Sequence, residues 1–261
     1  VGKDGRYTHW HALWTEQFFE SRYLPFPSGV NESRIRDVAA YHHRPDSPTA
    51  WIGAEADRLS AGMDRKPRDE ESEAAGEGRP WGQYARIPLE CPFHKVRIGR
   101  GDAPRSFMPM RELTPAADLF PSTTQDGARL PEQYAALWQG LRRSLAALDR
   151  LQDAELFCES LASLSERYLS TVPSSTKDQP DVSLHDHSRA AAAIAAAMYA
   201  WHAAKDNLAD TAAIRDRGTP KFRLLVGDLS GIQSTLFRLS NQRVRGLNRI
   251  LRARSFLFGM L

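Results

Sequence analysis

The sequence predicts an α+β protein that is mainly helical and continues into a strand–turn–helix unit. Two observations support this fold class. Apolar residues recur at intervals of three and four over several long segments, which is the spacing of one helix face. Near the end of the chain, the apolar run 222–226 is followed by a turn with two glycines and then by a long helical pattern.

Composition and charge exclude several classes of protein. The 261 residues carry a formal net charge of +3, which is too small for the whole molecule to act as a basic nucleic-acid clamp. Cys91 and Cys158 form no C-x-x-C pair, so they suit a reducing compartment and provide no zinc site. No run of about 18 apolar residues and no signal-peptide pattern occurs. We therefore expect a soluble, cytoplasmic protein without membrane contact.

Three helices are expected in the first part of the chain. Apolar residues at helical spacing predict them over 10–23, 32–41 and 50–63. The segment 44–48, which contains two prolines, separates the second helix from the third.

Four histidines and one aspartate in this region are candidate metal ligands: His9, His11, His42, His43 and Asp57. Imidazole nitrogens and carboxylate oxygens together suit one or two divalent ions, whether magnesium, manganese or a transition metal. Such ions generate hydroxide from water and stabilise a phosphodiester under attack. Helical segments with His, His-His and Asp in this order fit a metal-dependent HD phosphohydrolase. The alternative is that these histidines are surface residues or helix-end cations.

The middle of the chain reads as linkers and packing helices. Residues 66–80 are charged and almost free of large apolar side chains, which predicts a solvated linker. Residues 84–98 have the pattern of extended chain, and 99–131 form a proline-containing connector. Amphipathic helices are expected over 131–150 and 154–170, with apolar stripes that pack in a core or against a partner subunit.

A capping box at 183–186 predicts the start of an alanine-rich helix whose backbone approaches a neighbour closely. His185 and Asp186 look like a metal-binding dyad, but they stand downstream of the other His and Asp candidates, which reverses the order of an HD domain. We therefore do not assign them to the site. His187 is the better functional candidate, with a role in joining two domains. The alternative is a hydrogen-bonded histidine inside a domain interface.

The turn after the predicted strand has the chemistry of an anion site. Backbone N–H groups and the helix dipole favour an anion where a strand meets the next helix. Gly227 and Gly231 allow a close backbone approach, Asp228 offers a carboxylate to a metal, and Ser230 caps the helix or donates outward. A structural turn is the alternative, because this pattern is common.

The C-terminal segment is basic. Arginines alternate there with leucine and phenylalanine, and those selected as contacts to RNA phosphates or a neighbouring subunit are Arg245, Arg252 and Arg254. The alternative is the solvated face of a helix.

Three stretches in one order resemble a known family. The first is His42-His43 followed by 56–65, the second is 181–188 with the alanine-rich run after it, and the third is G-D-L-S-G-I-Q at 227–233 with L-R-A-R-S-F at 251–256. Together they resemble the large subunit of type III CRISPR effector complexes, the Cas-ten family with its Csm-one and Cmr-two branches. The resemblance covers nearly the whole chain.

The resemblance implies a helical HD-type nuclease domain followed by the start of a ferredoxin-like palm domain. The implied divisions are an HD-type domain at 1–98, a connector with helices at 99–180, and a helix with the first strand and helix of the palm at 181–261. The family's upstream His-Asp dyad is not visible, and Val1-Gly2-Lys3 resembles the tail of that motif. We expect a piece of a longer protein that by itself can be inactive.

The resemblance also implies activities and partners. Proteins of this family assemble with guide RNA and other type III subunits. When target RNA pairs with the guide, they cleave single-stranded DNA at the HD site and convert ATP into cyclic oligoadenylate at two palms. The metal-binding carboxylates of the second palm are absent from this sequence. Ser230, with Gly231 and Asp228 beside it, is the candidate nucleotide-binding residue.

Two other functions stay open. One is a free-standing HD phosphohydrolase that uses His42 and Asp57. The other is a catalytically inactive scaffold subunit that holds guide RNA and partners.

Overall fold

The computed structural model describes residues 10–62, 84–96, 104–115, 119–175 and 180–227. The chain divides into two compact units, Val1–Phe222 and Arg223–Leu261. Several predicted site residues lie outside the described residues: His9, Asp228, Ser230, Gly231, Arg245, Arg252 and Arg254. Their predicted roles stay predictions.

The three N-terminal helices form where the apolar periodicity predicts them. They are α1 (Trp10–Glu20), α2 (Glu32–Ala40) and α3 (Pro48–Ala61). Asn31 caps α2 and Ser47 caps α3, because each side-chain oxygen accepts a hydrogen bond from a backbone N–H of the first turn. Pro48 follows Ser47 at the first helical position, where the missing N–H costs nothing.

The next two described helices are close to their predicted bounds, and the third begins where the sequence predicts. They are α4 (Leu130–Ala146), which continues into a 3₁₀ turn Ala147–Arg150, then α5 (Ala154–Leu169) and α6 (Leu184–Ala204). They are followed by α7 (Thr211–Arg215). The predicted capping box is confirmed, since the Ser183 hydroxyl oxygen accepts from the Asp186 backbone N–H at 3.0 Å. The short helix α7 was not predicted.

The extended chain predicted over 84–98 is only partly confirmed. Short 3₁₀ turns occupy Tyr84–Arg86 and Pro92–Lys95, and between them Glu90 forms an isolated antiparallel bridge with Phe107. Proline fixes φ near the value that a helical first turn needs, so Pro92 favours a turn over a strand.

Among the described residues, three apolar clusters hold the helices together. One joins α3, α6 and α7 through Ile52, Met198 and Ile214. The second joins Leu145, Leu148 and Phe157 with side chains near the end of α1, and the third is formed by buried Met110, Leu130, Leu137 and Tyr168. The alanine-rich α6 packs along α3, as its small side chains predict.

The strand predicted over 222–226 is not borne out. Residues 221–227 have no regular secondary structure, and Leu224 and Leu225 are 89% and 94% exposed. A strand is stabilised by hydrogen bonds to a neighbouring strand, and the described residues offer this segment no such neighbour. The mainly helical part of the predicted fold is therefore confirmed, and the start of the palm is not supported.

Within the described residues, no helix combines the length and the apolar character that crossing a membrane requires.

Candidate metal centre

Three histidines that are distant in sequence converge at one point. His11 lies in the first turn of α1, and His42 and His43 lie in the turn that follows α2. One ring nitrogen from each histidine lies within 4.8 Å of the chosen nitrogens of the other two. We call this group the three-histidine cluster. It brings together three of the five residues that the sequence analysis selected as metal ligands.

The cluster forms because α1 packs against α2. The carboxylate of Glu16, buried in α1, forms an ion pair with Arg36 of α2 at 3.3 Å. α2 ends at Ala40, and the backbone N–H of Tyr41 donates to the Asp37 carbonyl before the chain turns. This turn places both adjacent histidines against the start of α1.

The ring orientations favour a bound cation. The His42 Nδ1 lies 2.7 Å from the Ala39 carbonyl oxygen, so Nδ1 carries a proton and, whenever the ring is neutral, its lone pair is on Nε2. The Nε2 atom of His11 lies 3.2 Å from Nε2 of His42 and 2.7 Å from Nε2 of His43. A backbone carbonyl behind a ring nitrogen is the usual way in which a metal-binding histidine is oriented.

Asp57 lies beside the cluster, and its partner is a histidine from another helix. Asp57 Oδ1 of α3 is 3.1 Å from Nε2 of His187, which lies in the first turn of α6. Burial opposes ionisation of Asp57, but the hydrogen bond from His187 and the charges of His42, His187 and His43 outweigh it. The pKa of Asp57 is therefore held below its usual range.

Ser60 fixes the orientation of His187. The Ser60 hydroxyl donates to the His187 backbone carbonyl at 2.8 Å, and its oxygen lies 3.2 Å from His187 Nδ1. The Ser60 oxygen can accept from Nδ1–H only when both ring nitrogens of His187 carry protons, since Nε2–H donates to Asp57. The sequence analysis selected His187 as a functional residue but did not predict its contact with Asp57, and it missed Ser60. The one available signal was that Ser60 lies one helical turn after Asp57.

His185 and Asp186 do not join the cluster. His185 is buried, and its Nδ1 lies 3.2 Å from the Ser165 hydroxyl. Asp186 accepts a hydrogen bond from the Ser183 hydroxyl at 2.7 Å within the capping box. Both residues stabilise the start of α6, in agreement with their exclusion from the site.

The donor set fits a divalent transition metal. Three imidazole nitrogens with an ionised carboxylate nearby are ligands that such ions prefer over magnesium, which selects oxygen. The metal–nitrogen distance in such sites is about 2.0–2.1 Å, which is compatible with the Nε2 separations of 3.2 Å and 2.7 Å from His11 to His42 and to His43.

Curated relatives match most of the chain. A single-strand-specific deoxyribonuclease Cas10/Csm1 of a subtype III-A CRISPR system from Mycobacterium tuberculosis is 30% identical over 253 residues, which are 89% of this chain. Proteins with the same description from Streptococcus thermophilus and Thermococcus onnurineus are 31% and 30% identical over 79% and 78% of the chain. The chain is related to the Cas10/Csm1 family of type III CRISPR large subunits.

The chain spans less than a third of the length of these Cas10/Csm1 relatives, with 29%, 27% and 22% of each covered. No family model matches the chain. The predicted resemblance to the type III large subunit is therefore confirmed by relatives that each match more than three quarters of the chain.

Proposed function

We propose that this chain contributes the metal site of a single-strand-specific deoxyribonuclease in a type III CRISPR effector complex. The observation that carries the proposal is the convergence of His11, His42 and His43 beside Asp57. The names of the Cas10/Csm1 relatives support the same reaction and the same kind of complex. Guide RNA, target RNA and other type III subunits are the proposed partners.

The three Nε2 atoms of the cluster would hold a divalent metal ion, with the Asp57 carboxylate beside it. When bound, such an ion supplies hydroxide from water at neutral pH and stabilises the negative charge of a phosphodiester under attack. The ion is expected to be a divalent transition metal, since imidazole nitrogens dominate the donor set and suit zinc, iron and nickel best. Manganese, which prefers oxygen, would rely more on the Asp57 carboxylate and on water, and it is the ion used in the test below.

The protein's own residues prepare this site before any ion or DNA arrives. The Ala39 carbonyl holds His42 with Nε2 facing the cluster. His187 holds the Asp57 carboxylate in place and favours its ionised form, and Ser60 holds His187. Fixing ligands through hydrogen bonds of this kind typically changes metal affinity or activity about 10–100-fold.

The test is metal binding and DNA cleavage by the full-length protein in its guide-RNA complex. His42→Asn and His43→Asn are expected to weaken manganese binding, measured by calorimetry, and to abolish cleavage of a labelled single strand. His94→Asn is the matched control, because His94 lies outside the cluster and contacts the Cys91 carbonyl. Wild-type cleavage by a protein with both cluster substitutions would refute the proposal. Intact manganese binding without cleavage by the wild type would favour the scaffold alternative.

A second proposed activity rests on the motif G-D-L-S-G-I-Q at 227–233. We propose that residues from 221 onward begin a palm domain that contacts ATP through Ser230, with Gly231 and Asp228 beside it, during synthesis of cyclic oligoadenylate. The assay is incubation of the target-bound complex with ATP and magnesium or manganese, followed by mass spectrometry. Ser230→Ala is expected to reduce the product. Absence of cyclic product from the wild-type complex would exclude this activity.

The proposed roles of Arg245, Arg252 and Arg254 in binding RNA or a neighbouring subunit belong to the same palm segment. Substituting them with glutamine should weaken assembly with guide RNA, measured by native mass spectrometry.

A further inference from the structure

A basic cleft lies at the C-terminal end of α1. The three-histidine cluster is at the other end of this helix, where His11 lies in the first turn. It has a volume of about 570 Å³. One wall is the turn after α1, and the other is the second half of α4 with the 3₁₀ turn that follows. The residues that line it are Arg22, Tyr23, Pro25, Gln139, Arg142, Arg143, Ala146 and Asp149. A cleft of this volume accommodates a nucleotide-sized ligand, since small-ligand sites measure about 300–1,000 Å³.

The cleft carries an excess of positive charge. The lining contains the guanidinium groups of Arg22, Arg142 and Arg143 and one carboxylate, that of Asp149. The net charge of the lining is therefore +2. Within the part of the chain that the structure describes, none of these three arginines forms an ion pair. All three are exposed, so their charges are available to an anion from outside.

The wall formed by the turn after α1 is fixed before a ligand binds. Arg22 adopts a left-handed backbone conformation with φ of 50°, which is uncommon for a residue with a side chain. Its backbone N–H donates to the Phe19 carbonyl at 3.0 Å, and this turn directs Tyr23 back onto α4. The Tyr23 ring then packs edge-on against Trp138, with ring centroids 5.8 Å apart.

Arginine and aromatic groups are combined in this cleft. The Arg142 guanidinium carbon lies 4.1 Å from the centroid of the Tyr23 ring, a cation–π contact that holds the charge over the cleft. Trp138, one helical turn before Arg142 and in contact with Tyr23, is 41% exposed. Guanidinium groups that bind phosphates, next to aromatic rings on which bases stack, are the combination that single-strand binding proteins use.

The position of the cleft relates it to the cluster. His11 lies in the first turn of α1, and the cleft begins just beyond its last turn. The eleven residues of α1 span about 16 Å at 1.5 Å per residue. A stacked strand advances about 3.4 Å per nucleotide, so about five nucleotides join the two places.

We propose that this basic cleft binds the sugar-phosphate backbone of single-stranded DNA about five nucleotides from the phosphodiester held at the three-histidine cluster. The proposal rests on the nuclease function proposed above and extends it with a second contact to the substrate. Arg142 and Arg143 are positioning residues here, because they act on the strand and not on the reacting phosphate.

The experiment measures binding and cleavage separately in the full-length protein within its guide-RNA complex, with target RNA present. Binding of a labelled oligothymidylate is followed by fluorescence anisotropy in EDTA over a range of salt concentrations. The variants are Arg142→Gln, Arg143→Gln and the two together. Arg129→Gln is the matched control, because it removes the same charge at the opposite end of α4 and outside the cleft.

Each cleft substitution is expected to weaken binding several-fold and to reduce the slope of log K against log salt by about 0.7, the value for one phosphate contact with a single strand. Arg129→Gln should leave both quantities unchanged. In manganese, the double variant should have a raised KM for a long substrate and an unchanged rate on substrates shorter than about five nucleotides, which cannot reach the cleft.

Three outcomes would overturn the proposal. The first is wild-type affinity and salt slope in the double variant. The second is an equal loss of activity on long and short substrates, which would show that these arginines stabilise the folded protein and do not bind the strand. The third is loss of a protein subunit from the complex by native mass spectrometry, which would assign the cleft to a partner protein. Tight binding in EDTA by a wild type that cleaves nothing would instead refute the nuclease function and leave the cleft assignment standing.

Discussion

Replacement of Gly140 by alanine tests how tightly α4 packs against α5. Gly140 is buried in the interior of α4, and a Cβ atom added there would lie 2.6 Å from Cε1 of Tyr168. The Tyr168 ring has little freedom to move away. It is 6% exposed, it belongs to the buried cluster with Leu137, and its hydroxyl lies 2.9 Å from the Ser144 hydroxyl.

Two opposing free energies decide the result. Alanine in a helix interior is more favourable than glycine by about 0.5–1 kcal/mol. Overpacking a well-filled core costs about 1–3 kcal/mol. Because the contact of 2.6 Å is far inside van der Waals distance and the tyrosine is held at both ends, we expect the packing cost to win. The predicted change for Gly140→Ala is a net destabilisation of about 1–2 kcal/mol.

The assay is urea unfolding followed by tryptophan fluorescence, with Trp138 as a probe in the same helix. Gly127→Ala is the control, because its Cβ would meet nothing within 4 Å, and we expect a change within about 0.5 kcal/mol. In a Tyr168→Leu background the clash is relieved, so Gly140→Ala should become neutral or stabilising. Equal destabilisation by Gly140→Ala in both backgrounds would show that the ring contact is not the cause.

Three further changes follow from contacts elsewhere in the chain. Burial opposes ionisation of Glu55, but the hydrogen bonds and charges of Arg217 and Arg58 outweigh it, so the pKa of Glu55 is lowered below the ordinary 4.5. The ionised carboxylate therefore stabilises the fold fully at pH 7, and this stabilisation shrinks as the pH falls below about 4.5. Thermal melts of Glu55→Gln and the wild type at several pH values should show a difference in stability that shrinks in the same way. Asp153→Ala removes the side chain that accepts from the Leu156 N–H at 2.8 Å, and should cost about 1 kcal/mol in urea unfolding, whereas Asp153→Asn should cost much less. Lys221→Met removes three hydrogen bonds to backbone carbonyls around the end of α7 and should accelerate amide exchange in that helix, while an unchanged exchange rate would contradict the assignment.

Much of the fold could be predicted because helices are determined locally. The apolar spacing gave the position of each long helix, and the capping box at Ser183 marked the start of α6. The caps Asn31 and Ser47 were identified only in the structure. The strand predicted over 222–226 is not found among the described residues, for the opposite reason. Its apolar and β-branched residues are a local signal, but a strand also requires a hydrogen-bonding neighbour, which a local pattern does not provide.

The sequence by itself predicted which residues could bind a metal and determined which family the chain resembles. His9, His11, His42, His43 and Asp57 were selected by residue type and order, and His9 lies outside the described residues. Only the tertiary structure decided how they meet. His11 is separated from His43 by 32 residues, and His187 is separated from Asp57 by 130. Such contacts depend on how α1 packs against α2 and α3 against α6. Packing is decided by complementary surfaces of distant segments, which no periodicity within one segment records.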